Sequence, residues 1–160
     1  MRRAGAMLVA VVIAIAAAGC GGGGGGGGGD RLSKSEFEAK MSSIGTDLQQ
    51  ASSGVDLTNT KDLDKVADAV ATFKTKLESA ADQVDDLKPP ADAEQETGKI
   101  ADALHAFADE FGKMEKAARK GDLGDLQKAQ QAVISEGTEA QQAAQDLKNK
   151  GYNIGELGSG

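Results

Sequence analysis

The chain has no tryptophan, one tyrosine, four phenylalanines, and a single histidine and a single cysteine. With aromatics at 3%, the core falls to Leu, Val, Ile, Met and Ala. Alanine seams let helices approach closely but bury little apolar area per residue. One cysteine excludes an internal disulfide and a thiolate metal cage. One histidine excludes the paired Glu-x-x-His motifs of a di-metal bundle. No Gly-x-Ser-x-Gly, P-loop or Cys-x-x-Cys-His motif is present, so no activated nucleophile, phosphate cradle or covalent haem site can be read, and no enzyme activity is expected. The two prolines are adjacent, Pro89 and Pro90, and no strand-like alternation competes with helix. Positive charge is also scarce. The net charge is −7, from 18 basic and 25 acidic residues, and loss of Arg2 and Arg3 with a cleaved leader would leave 16 against 25, or −9. Such a domain is repelled by phosphate backbones, which argues against nucleic acid as a partner.

What the chain does have begins at its start. Met1-Arg2-Arg3 is a short basic segment, and Met7 to Ala18 is an apolar run containing Leu8, Val9, Val11, Val12, Ile13 and Ile15. That run is shorter than the roughly 20 residues a membrane span needs, and it fits a secretory leader. Ala17-Ala18-Gly19-Cys20 then places the lone thiol directly after small residues. The pattern resembles the lipobox of bacterial lipoprotein precursors, with Ala17 where that family usually has Leu. The resemblance implies a signal peptide over 1–19, cleavage before Cys20, and diacylglyceryl and fatty-acyl (palmitate-type) modification of Cys20. It would place the chain at the cell membrane, on the extracytoplasmic side. Two acyl chains anchor stably, at about 0.8 kcal/mol per buried CH₂. Gly21 to Gly29 complete the segment 20–30, and nine glycines behave as a coil of about 15–18 Å r.m.s. span, a flexible tether.

From residue 31 the pattern reads as four helices. Ser33 with Glu36 is a capping box, and Leu32 with Phe37 a hydrophobic staple. Phe37, Met41, Ile44, Leu48 and Ala51 continue the first seam. Thr58, Asn59 or Thr60 are candidate caps for the second helix, whose seam is Leu63, Val66, Val70, Phe73, Leu77, Ala80, Val84 and Leu87. A third helix is expected from Pro90, with Ala93, Thr97, Ile100, Leu104, Phe107, Phe111, Met114 and Ala118 on its seam. Gly121 suits its end and Asp122 the start of the next. The fourth seam is Leu123, Leu126, Val133, Ala140, Ala144 and Leu147, interrupted by Gln130 and Gly137. Gly151 with Tyr152 and Leu147 matches a Schellman end. Short connections make neighbouring helices antiparallel. The expected fold is all-α: an antiparallel up-down-up-down four-helix bundle over 31–151, with a flexible tail over 152–160. Two loosely stacked hairpins are the alternative.

Candidate site residues are few. His105 shares a seven-residue line with Gly98 and Gly112, glycines that could leave a slot around the imidazole. Met41 and Met114 lie on seams, and a His/Met pair inside a bundle is one way to ligate haem. The plainer reading pairs His105 with Asp102 or Asp109 on its own helix. Asp62, Asp64 and Asp68, and separately Asp82, Asp85 and Asp86, lack the glycine and terminal Glu of a calcium loop and read as solvated helix faces, so no metal or cofactor is expected. Leu87-Lys88-Pro89-Pro90-Ala91 followed by His105 and Phe107 resembles a Leu-x-Pro-Pro…His pattern of small, uncharacterised helical lipoproteins of high-GC Gram-positive bacteria, over roughly residues 60 to 152. The expectation is a lipid-anchored, non-enzymatic interaction or structural module whose partners are the membrane, through Cys20, and envelope proteins. A haem or amphiphile carrier using His105 with Met114 or Met41 is the alternative.

Overall fold

The computed structural model describes residues 31–55 and 62–155. The leader, Cys20, the glycine run, Thr58 to Thr60 and Leu157 lie outside the described residues. The described chain is all-helical: α1 (Lys34–Ser52), α2 (Leu63–Asp85), α3 (Glu94–Lys120) and α4 (Leu123–Asn149). They pack as an antiparallel four-helix bundle.

Local chemistry accounts for most helix ends. Ser33 caps α1, and its backbone N–H donates to the Glu36 carboxylate at 2.9 Å while its side chain accepts from Glu36 N–H. Both halves of the capping box are therefore made, and two otherwise orphaned donors are satisfied. α3 ends at a left-handed Gly121, with the Asp122 and Gly121 N–H groups donating to Ala117 and Ala118 carbonyls. Asp122 then caps α4 by accepting from Asp125 N–H, so only Gly121 and Asp122 separate the two helices.

Two helix starts differ from the sequence reading. α2 is capped by Asp62, which accepts from Lys65 N–H at 3.3 Å. α3 begins at Glu94 rather than Pro90, because residues 91–93 form a turn in which Ala93 N–H donates to the Pro90 carbonyl. That corner is pinned from outside by Leu32 N–H on the Lys88 carbonyl and by the Arg31 guanidinium on the Pro89 carbonyl.

α3 is the central element. Along one side it meets α2, with Phe73 and Phe111 edge to face at 4.9 Å and Asp68 reaching Arg119. Along the other it meets α4, with the Phe107 ring 3.5 Å from where a β-carbon on Gly137 would stand. The seams of α1, α2 and α3 are buried or half-buried as their spacing requires. Ala67 and Ala81 of α2 and Ala101 and Ala108 of α3 are almost fully covered, and small buried side chains allow backbones to approach. α1 touches α2 far less closely, leaving a groove of about 430 Å³ between Ile44, Leu48 and Ala51 on one wall and Lys76, Ala80 and Gln83 on the other. Leu123 is the exception on the α4 seam, 58% exposed. It is the first residue after the corner, and α3 has already ended beside it.

The chain past α4 is not a loose tail as far as it is described. Tyr152 and Ile154 are 5% and 0% exposed, so the folded unit reaches Gly155 rather than stopping at 151. The reason lies in α1. No α-carbon of α1 comes within 8 Å of one in α4 among the described residues, and Tyr152 and Ile154 cover the Phe37 side that α4 leaves open. Phe37 and Tyr152 meet edge to face at 5.5 Å. Gly155 has a left-handed backbone, φ +65°, and a β-carbon there would fall 2.8 Å from Ser42 Oγ, so glycine suits the end of this strap, residues 152–155, where it lies against α1.

Candidate functional site

His105 is on α3, but its partner is on a different helix. Its Nε2 lies 2.8 Å from Asp85 Oδ2 of α2, and both side chains are about half exposed, 47% and 55%. The expected pairing with Asp102 or Asp109 on α3 is not the one formed. At the end of α2 the helices are close enough for a cross-helix contact, and Asp85 sits directly opposite. The Asp85 hydrogen bond raises the His105 pKa above its ordinary value, against an opposing effect of burial. No other side chain makes a hydrogen bond with the imidazole among the described residues.

The sign of that shift fixes a pH dependence. A histidine whose folded pKa is raised adds stability below its unfolded pKa and loses it as pH rises through the folded value. For so exposed a pair the gain is small, about 0.2–1 kcal/mol. Asp85→Asn should therefore lower stability by that amount near pH 5 and leave it unchanged near pH 9, as read by urea midpoints at both pH values.

The remaining candidate residues are not brought together with His105. Met114 is nine residues along α3, about 13 Å of helix, and faces the core at 1% exposure, while Met41 is fully covered in the α1 seam. The slot between the glycines is also not formed. The Lys74 stem covers Gly112, its Cε lying 3.2 Å from where a β-carbon would be, and nothing lies within 4 Å at Gly98. The imidazole is thus a surface group and both thioethers are core groups.

The acidic groups separate in the same way. Asp62 caps α2, Asp68 meets Arg119 and Asp85 meets His105, while Asp64, Asp82 and Asp86 are exposed. Among the described residues no group of three or more His, Cys, Asp or Glu is arranged to hold a metal ion.

The densest polar cluster was not foreseen from the sequence. Lys150 Nζ donates to the Glu96 carboxylate at 2.6 Å and to the Asp92 carbonyl at 2.7 Å. Tyr152 Oη donates to Asp92 Oδ1 at 2.6 Å, and Asn153 N–H to Glu38 Oε1 at 2.8 Å. Glu96 is only 6% exposed, and its Lys150 partner holds its carboxyl below the usual range. The Tyr152 hydrogen bond does the same for Asp92. Burial, with Asp92 second, pushes the phenol up to about 12. A tyrosine, a lysine and two carboxylates in one corner have the composition of an acid–base site. Here each is consumed by a neighbour, and together they lock α4 and the strap onto α1 and α3. The signal available in the sequence was the spacing of Lys150, Tyr152 and Ile154 just past a glycine. It could not reveal partners 54 and 60 residues away.

Neither a protein-family model, nor a curated protein, nor a solved structure matches this chain.

Proposed function

We propose that this chain is a lipid-anchored, extracytoplasmic helical-bundle lipoprotein, acting as a non-enzymatic interaction or structural module of the cell envelope. One observation carries the reading: a basic start, a 12-residue apolar run and small residues end on the chain's single cysteine, followed by nine glycines and then the bundle. A thiol used for acylation accounts for a lone cysteine, and a glycine coil accounts for a domain held near a membrane while free to rotate. Among the described residues no helix is long and apolar enough to cross a membrane, and the attachment proposed is the lipid on Cys20. The polar side chains that could support chemistry are spent on one another, which favours a surface role.

Radiolabelled palmitate supplied to cells making the full chain should be incorporated, and Cys20→Ser should abolish both labelling and membrane retention of the protein. Labelling that persists in Cys20→Ser would overturn the anchor assignment.

A further inference from the structure

α4 presents a solvent face unlike those of the other helices. Gln127, Gln131, Ile134, Thr138, Gln141 and Gln145 follow one another at steps of four, three, four, three and four, and all six are exposed. They form one stripe about 27 Å long. None is charged, in a chain that is 27% charged. Ile134 is 75% exposed, and Leu123, one turn before Gln127 on the same stripe, is 58% exposed. These are the large apolar side chains left in water among the described residues. α4 packs on α3 through Leu126, Ala129, Ala143, Ala144 and Leu147, and the stripe lies well round the helix from that contact.

We propose that this stripe is a self-association surface, on which α4 of a second copy of the chain packs antiparallel about a two-fold axis at Ile134. Charge selects the occupant. The chain is acidic overall, at −7, so two copies repel over most orientations, but along this stripe they bring no like charges together. A basic partner finds no carboxylate in the stripe and an anionic surface finds no lysine. The register follows from the sequence. A two-fold axis at Ile134 sets Ile134 on Ile134, and Gln127 of each copy opposite Gln141 of the other. A primary amide both donates and accepts, so facing glutamines satisfy one another without outside help. Such an isologous contact closes at two copies. The proposal rests on reading the bundle as an interaction module, and not on the anchor.

The test uses cysteine cross-linking of the full chain in the membranes of cells that make it. Under mild oxidation Ile134→Cys should form a disulfide-linked species of twice the chain mass. Thr72→Cys, exposed on α2, should form none above the unsubstituted chain. Ile134 is so exposed that the substitution leaves the fold intact. Adding Gln127→Glu with Gln141→Glu places like charges at both ends of the seam, and should cut cross-linking about tenfold or more. Gln127→Glu with Gln141→Lys places opposite charges there and should restore it. Equal cross-linking from Ile134→Cys and Thr72→Cys, an adduct with a protein of another mass, or equal behaviour of the two charge variants would each overturn the proposal. Cross-linking of the unsubstituted chain through Cys20 would instead report an unacylated thiol and count against the anchor alone.

Discussion

Ending the chain at Gly151 should cost the fold about 3–5 kcal/mol, although only nine residues are removed. Tyr152 and Ile154 are 5% and 0% exposed. Truncating one buried aromatic costs about 3–5 kcal/mol and one buried isoleucine about 2–5. Against this, releasing the four ordered residues 152–155 returns backbone entropy of about 1–2 kcal/mol each. The packing loss wins because Phe37, fully covered in the intact chain, is exposed as well. With a slope of about 2 kcal/mol per molar urea, the midpoint should fall by roughly 2 M. A midpoint unchanged within error would show that the strap does not hold α1. Tyr152 also offers a spectroscopic readout, since it is the only tyrosine. Its folded pKa is raised from 10.0 to about 12, so its contribution is present in full below pH 10 and lost as pH climbs from there toward 12. Phenolate absorbance in the intact chain should therefore appear only near pH 12, and near pH 10 in urea.

Phe111→Ala should cost about 3–5 kcal/mol and loosen α2, α3 and α4 together. Phe111 is 7% exposed and meets Phe73 edge to face at 4.9 Å, a pairing that adds about 0.5–1.5 kcal/mol to simple burial. It sits two-thirds of the way along the helix that contacts both α2 and α4. Leu48→Ala, at the partly covered end of α1 beside the α1–α2 groove, should cost less than half as much. Amide exchange should separate the two: protection lost across α2 to α4 in the first case, and within α1 in the second. A Phe111→Ala loss below about 1 kcal/mol, or exchange confined to α1, would contradict α3 as the central element.

The difference between these two variants marks how far periodicity alone could lead. Leu77, Ile100, Phe111 and Met114 were legible as core because a helix turns a three-and-four spacing into a single face, whatever its neighbour. Leu123 kept the same spacing and is exposed, because a face is buried only where another element lies against it. The start of α3 was misplaced by four residues for a related reason. Pro90 permits a first turn, but the corner is fixed by Arg31 and Leu32, nearly sixty residues earlier in the chain. His105 shows the same limit. Spacing within one helix offered Asp102 and Asp109, and the partner is Asp85, which only the α2–α3 packing brings within 2.8 Å.

By itself the sequence determined the helical class, the caps at Ser33 and Asp122 and the glycine end at Gly121, because each depends on residues within a few positions of one another. The pattern around Cys20 is equally local, which is why the anchoring proposal can be framed without any fold. The tertiary structure alone decided that Tyr152 and Ile154 belong to the core and that Lys150, Glu96 and Asp92 spend their charges on one corner. Those outcomes depend on which surfaces meet, and contact between residues fifty or more positions apart leaves no period in the chain.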